Sequence, residues 1–472
     1  MERIVVYELE EMNKYSLRDR LKKSEVQNYE GIFEDRFNEL LVFVEDYTKS
    51  GADDEVDSYD IVSIRQNRAL GKYVKFGCHV GLIQLKSGLQ IEILPKIKMD
   101  DSTESDKRSK KIFLQMLKSM EEFKGKSFNI SNLSIDDMNL YEIFINLYLA
   151  EADALIKRGL KSEYLQVEEN LNFCKGKLSV KDQIRKNLVH MERFYVKYDE
   201  YSLNRPENKI IKSTLLKLHD LSGDVGNKKL CRHILSYFEN IDCSINHDAD
   251  FAKVRLDRTT RGYENLIQWS KVFLKNKSFT TFAGGVVARA LLFPMQEVFE
   301  KYVAKQMKKV FNDYRVATQD MGYYLFNEPD MFRLKPDIVV TSGKGMNRQK
   351  VVMDTKWKAL NRYKEKFGIL QSDLYQMYAY AKKYNASDVW LLYPLTISMK
   401  NELKEPPYLI KYTSKEKKYG GRDVNVMVFL IDLNEIFEEG NINKSLGMLK
   451  DMVDTRMQEI VEDGRQYKKG KY

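Results

Sequence analysis

Residues 335–356, KPDIVVTSGKGMNRQKVVMDTK, constrain this chain more than any other stretch. Two β-branched runs, KPDIVV and KVVMDTK, flank the segment SGKGMN (342–347), whose small and polar residues signal a turn. Arg348 and Gln349 lead back into the second run. A loop over 342–349 has its centre between Gly345 and Met346, with Asp337 and Asp354 equally far from it. An antiparallel hairpin then sets the two acids opposite each other on one face, with Cβ atoms roughly 4.5–5.5 Å apart. Lys356, two residues beyond Asp354, shares that face.

Like charges directly opposite in a sheet destabilise it, and a hard cation between them reverses the sign of that effect. Mg²⁺, or Mn²⁺ in its place, suits such a pair, because it binds through one or two carboxylates and completes its octahedron with water and phosphate oxygens. Asp337 and Asp354 are therefore expected to ligate a metal, with the Thr355 carbonyl as a further ligand. Lys356 would activate the attacking water or stabilise charge developing on phosphorus. These residue types point to metal-dependent phosphodiester hydrolysis. Taken alone the motif is short, and acids at strand ends are commonly just solvated.

The segment that follows, QSDLYQMYAYAKKY, reads as a helix with Gln376 and Tyr380 one turn apart on one face. Gln371 and Tyr375 satisfy the same spacing. The order P-D, loop, D-x-K, helix with Q-x-x-x-Y resembles the PD-(D/E)XK nuclease superfamily, in the branch that carries the Gln/Tyr helix. The resemblance implies that Gln376 and Tyr380 orient the metal site or the DNA. It also implies that a helix opening near Pro294 can add an acid. Glu297 and Glu300 lie one turn apart there, and Glu300 is the better placed, although a solvated helix face is the plainer reading.

A length of 472 residues suggests two to four domains, and 43% hydrophobic with 12% aromatic residues is a globular composition. The formal charge of +9 permits nucleic-acid binding without demanding it. The opening MERIVVYELEEMNK has too short an apolar run for a signal peptide, and no run long enough to span a membrane occurs, so a cytoplasmic protein is expected. Cys78, Cys174, Cys231 and Cys243 lack C-x-x-C spacing and suggest a reducing compartment. Cys231, His233, Cys243 and His247 are of zinc-binding type but match no common spacing.

Residues 1–97 read as two helices (SLRDRLKK and FEDRFNELLVFVEDY) followed by strands (DIVSIR, KYVKFGCHVGLIQL, LQIEILPKI), a β-rich partner-docking module. Residues 98–111, KMDDSTESDKRSKK, read as a solvated linker. Residues 112–280 form a mainly helical middle region. Within it, 164–203 interleaves basic and aromatic residues, a pattern suited to phosphate contact, to an acidic partner or simply to a solvated helix face. Residues 281–440 are expected as an α/β domain with a mixed central sheet, including DVWLLYPL and VNVMVFLIDL as buried strands. Residues 441–472 are expected as an exposed helix with a basic tail. The fold class expected is multidomain α+β.

A second resemblance is broader. GLKSEYLQVEENLNFCKGKLSVKDQIRKN and ERFYVKYDEYSLNRPENKIIKSTL, with GLIQLKSGLQIEILPKI and LLFPMQEVFEKYVAKQM, are similar to the McrC family. McrC is the nuclease subunit of the McrBC modification-dependent restriction system, which targets 5-methylcytosine. The likeness runs, with gaps, from about residue 60 to about residue 435. It implies a partner, an McrB-like AAA+ GTPase ring, and a modified double-stranded DNA substrate. The chain has no G-x-x-x-x-G-K-[ST], in keeping with a separate motor. A non-catalytic adaptor that stimulates a partner NTPase, or a stand-alone DNA repair nuclease, would be the alternatives.

Overall fold

Runs such as DVWLLYP and VNVMVFLI, with no polar alternation, fit only a sheet covered on both faces. In the computed structural model they lie at the centre of one. The structure describes residues 2–24, 26–50, 61–68, 71–96, 105–120, 140–257, 260–275, 289–342, 349–415 and 423–469. Residues 343–348 of the expected 342–349 loop, the first half of the expected linker, 281–288 and the end of the basic tail lie outside the described residues.

The central sheet has six strands, in the order Arg315–Thr318, Ile338–Ser342, Gln349–Thr355, Asp388–Pro394, Val424–Ile431 and Leu409–Ser414. The first three pair antiparallel. Gln349–Thr355, Asp388–Pro394 and Val424–Ile431 run parallel, and Leu409–Ser414 closes the edge antiparallel. The sheet is therefore mixed. The Gln371–Tyr384 helix makes the crossover between two parallel strands. It lays Met377, Tyr380, Ala381 and Tyr384 over Val339, Val352, Val389 and Leu391, all buried. A left-handed Asn385 ends this helix, at a position where Asn is among the few residues tolerated.

The first and last segments of the chain are not separate bodies. Residues Met1–Phe123 and Thr280–Tyr472 form one compact unit, and Lys124–Phe279 forms another. The join is a strand: Arg289–Pro294 pairs antiparallel with His79–Gln84, at the edge of a sheet completed by Gln90–Leu94 and Arg3–Tyr7. Gly81 makes the approach feasible, since its φ is +147° and a Cβ there would stand 1.9 Å from the Leu291 carbonyl oxygen. The segment from Thr280 onward therefore shares a hydrogen-bonded sheet with the N-terminal segment, while the second unit ends at Phe279, beside the boundary expected at 280/281.

Three other expectations are corrected. KYVKFGCHVGLIQL is not one strand but two, Gly71–Phe76 and His79–Gln84, which belong to different sheets. The second half of the expected linker is the helix Ser105–Leu117, and its Lys110 is buried against the fully buried Glu92 at 2.9 Å. Part of a stretch whose composition predicts solvation therefore has its charge paired inside the fold. Finally, the last helix, Asn443–Lys469, is not exposed along its whole length. Leu446, Leu449, Val453 and Met457 are buried, and the helix packs beside Met295–Val310.

The second unit contains the helices Leu140–Arg158, Pro206–Leu221, Val225–Ser236 and Glu264–Lys275 around a core that includes a Tyr148–Ser270 hydrogen bond of 2.9 Å. The basic and aromatic stretch within it is mostly sheet. Glu163–Leu171, Phe194–Ser202 and the short Lys177–Leu178 pair antiparallel, with one short helix, Val180–Lys186. No helix among the described residues is long and apolar enough to cross a membrane.

Candidate active site

The hairpin register is Ile338↔Met353, Val339↔Val352 and Val340↔Val351, so the next pair toward the open end is Asp337 with Asp354. By strand alternation these acids share the face of Val339 and Val352, which is the face covered by the Gln371–Tyr384 helix. Asp354 is buried, 2% exposed. Asp337 is held from below: its Oδ2 accepts both the Thr355 amide and the Thr355 hydroxyl, each at 2.7 Å. Thr355 thus orients a neighbouring carboxylate through its N–H and O–H. Its carbonyl accepts from Gln296 Nε2 at 2.6 Å, which leaves that oxygen one lone pair for a further ligand.

Lys356 Nζ lies 2.7 Å from Asp354 Oδ2 and donates to Gln376 Oε1 at 3.0 Å. Gln376 Nε2 donates in turn to Tyr380 OH at 2.9 Å. Of the two Gln/Tyr registers, this is the one that reaches the strand. Gln371 and Tyr375 bond each other on the exposed side of the helix. Asp373, on the same helical face as Gln376 and Tyr380, is buried; it accepts from Lys358 Nζ at 2.8 and 3.2 Å and from Tyr393 OH at 3.1 Å. Its i, i+3, i+7 spacing with Gln376 and Tyr380 was a usable sequence signal. Gln296 had none, because its contacts are made only by the fold.

The charges are strained in a consistent direction. Burial first, and then Glu300, push Asp337 up to about 6; burial first, and then Asp337, push Asp354 up to about 6. Burial would lower Lys356, but the Asp354 carboxylate outweighs it and holds the ammonium above its ordinary range. Glu300 is raised by burial and then by Asp354, and its Oε1 accepts from Gln319 at 2.8 Å. Glu297 pairs with Lys301 at 2.9 Å and adds a smaller upward push on Glu300.

This donor set fits a hard divalent cation. It is all oxygen, its two carboxylates repel one another, and the buried Asp354 Oδ2 has no aligned hydrogen-bond donor despite its ion pair. Among the described residues no group of three or more His, Cys, Asp or Glu converges to hold a metal. Glu300 therefore stands as an electrostatic neighbour, and the two aspartates are the pair that meets. The zinc-type residues do not converge either. Cys231 donates to the Leu215 carbonyl, His233 packs on Tyr237, His247 bonds Ser244, and Cys243 is exposed.

A family model described as the McrBC 5-methylcytosine restriction system component matches residues 74–394. No individual curated protein matches the chain. In fold, the chain is similar to a refined half-complex from the tetradecameric assembly of Thermococcus gammatolerans McrB AAA+ hexamers with bound McrC. The TM-score is 0.68 at 20% identity, over 95% of this chain and 100% of that one. A cryo-EM structure of the T. gammatolerans McrBC complex aligns at TM-score 0.46 and 20% identity, over 66% of this chain and 89% of that one. The family match spans well over half of the sequence, and the chain belongs to the McrC family of McrBC restriction system components.

Proposed function

We propose that this chain is the DNA-cleaving subunit of a modification-dependent restriction complex, a Mg²⁺- or Mn²⁺-dependent endodeoxyribonuclease of PD-(D/E)XK type. Its partner would be an McrB-like AAA+ GTPase ring that drives cleavage and is stimulated in return, its substrate modified double-stranded DNA, and its compartment the cytoplasm. The observation that carries this reading is the meeting of Asp337, Asp354 and Lys356 at the end of the hairpin, backed by the Gln376–Tyr380 pair. Family membership and the McrB-bound neighbour support the partner.

Asp337 and Asp354 would hold the metal, which when bound supplies Lewis-acid stabilisation of the phosphoryl oxygens. Thr355 keeps the Asp337 carboxylate turned to the shared face. Lys356, protonated and pinned between Asp354 and Gln376, places a positive charge where negative charge develops on phosphorus. Gln376 fixes the direction of that ammonium, and Tyr380 fixes Gln376.

The test is cleavage of methylated duplex DNA by the chain with its partner ring, GTP and Mg²⁺. Asp354→Ala should lower the rate by about 10²–10³-fold, the scale seen when one electrostatic catalytic group is removed, with secondary structure retained. Cutting that survives this substitution would reject the site.

A further inference from the structure

Lys356 sits just past the last residue of its strand, where the sheet stops providing backbone partners. Its own N–H still reaches the Leu392 carbonyl at 2.9 Å. The polar groups on either side of it are taken by one side chain. Gln296 Nε2 donates to the Thr355 carbonyl at 2.6 Å, and Gln296 Oε1 accepts the Trp357 amide at 2.7 Å. A carboxamide used in this way imitates the edge of a neighbouring strand. Its helix, Met295–Val310, starts directly after the strand that joins the N-terminal sheet.

Trp357 is held as firmly. Its ring is buried against Phe299 at 5.3 Å, and its indole N–H donates to Glu8 Oε1 at 2.8 Å. Glu8, itself 2% exposed, also receives the Lys96 amide at 2.9 Å. The backbone that bears Lys356 is thus clamped to the N-terminal sheet, on groups remote in sequence that touch neither the aspartates nor Lys356 itself.

We propose that Gln296, with Trp357 and Glu8 behind it, is a positioning device that sets where Lys356 presents its ammonium. The proposal rests on the nuclease reading, deepens it, and ties the cutting site to the N-terminal sheet through two side chains and an indole. Displacing a reacting group by about 1 Å is enough to lose about 10²-fold in rate, and Gln296 is what prevents that displacement.

The experiment uses the full chain with its partner ring and measures single-turnover cleavage alongside the rate at which an amine-reactive reagent labels Lys356. Gln296→Ala should lower kcat about 10²-fold with KM for DNA unchanged, and should speed Lys356 labelling about tenfold. Gln296→Glu, which keeps the acceptor for Trp357 but loses the donor to Thr355, should show the same split. Trp357→Phe, which keeps an aromatic ring and removes the N–H to Glu8, should lose about fivefold to tenfold. Rates and labelling within twofold of wild type in folded variants would overturn the proposal. So would a change confined to KM. If the wild type fails to cut at all, the nuclease reading falls, and unaltered labelling would then sink the positioning role separately.

Discussion

Two antiparallel strand pairs in this chain invite comparison. One pairs Ile338–Ser342 with Gln349–Thr355, and the other pairs Glu163–Leu171 with Phe194–Ser202. In the first, like charges (Asp337 and Asp354) come together at a buried end. In the second, opposite charges face each other in the open: Glu168 is directly across from Lys197 and bonds it, and Tyr198 OH bonds Glu169 at 2.9 Å. The exposed pair follows what favours a sheet, and the buried pair violates it. Exposed ion pairs are worth little, so the second arrangement says little about function. A buried repulsion needs an external ligand to offset it, and that makes the first arrangement informative.

The lysines differ in the same way. Lys356 is held between a buried carboxylate and a carboxamide, whereas Lys175 and Lys186 lie over the rings of Tyr198 and Tyr195 at 3.8 and 4.1 Å. Part of the basic and aromatic interleaving of residues 164–203 is thus local cation–π contact, at Lys175 and Lys186, which the spacing alone does not show.

The contrast can be broken most sharply at the core. Leu391 is opposite Asp354 in the parallel register and fully buried. Leu391→Ala should cost about 2–5 kcal/mol by chemical denaturation, through lost burial and a residual cavity. A cost under about 1 kcal/mol would mean that the sheet centre is loosely packed, and the rigid placement of the acids would go with it.

The next largest effect is electrostatic. Burial, with repulsion from Glu300 and between the aspartates, raises the Asp337/Asp354 pair to about 6, above an ordinary carboxylate near 4. The folded state then binds more protons than the unfolded state between those values. The contribution to stability is full below about pH 4 and is lost as pH rises through about 6. In chelator, Asp354→Asn should remove the Asp354 share of that loss, on the order of 2 kcal/mol at neutral pH, and leave the share that burial and Glu300 impose on Asp337. Added Mg²⁺ or Mn²⁺ should stabilise the wild type at pH 7.5 and leave the variant unmoved. A wild-type melting temperature indifferent to both pH and metal would show that the carboxylates do not repel.

What was legible in the sequence follows from range. The hairpin register came from counting residues about a turn, because a strand period of two leaves little freedom once the apolar face is fixed. Gln376 and Tyr380 were visible through helical spacing, but only packing separates them from Gln371 and Tyr375. Gln296, Glu8 and Gln319 were invisible, since each reaches the site from another element. The junction at Arg289–Pro294 leaves no sequence signal, because its partner strand lies some two hundred residues earlier and runs on from another strand without a clear break. Lys110 was misplaced for a related reason: a charged residue reads as solvated until its buried partner, Glu92, is known.

The smallest effect tests the exposed pair on its own terms. Tyr164 and Tyr201 are opposite in register, 71% and 66% exposed, with ring centroids 5.1 Å apart. A cross-strand aromatic pair of this kind contributes about 0.2–1 kcal/mol. A double-mutant cycle to alanine should return a coupling in that range, and each single change should leave the melting temperature of the isolated chain nearly unmoved. A coupling of several kcal/mol would mean that these rings are covered in solution, and the outer face of this sheet would then be an occupied surface. Near-zero coupling would leave the rings as independent apolar groups in water, and the sheet would be held by its backbone ladder and, among the described residues, the buried Val196.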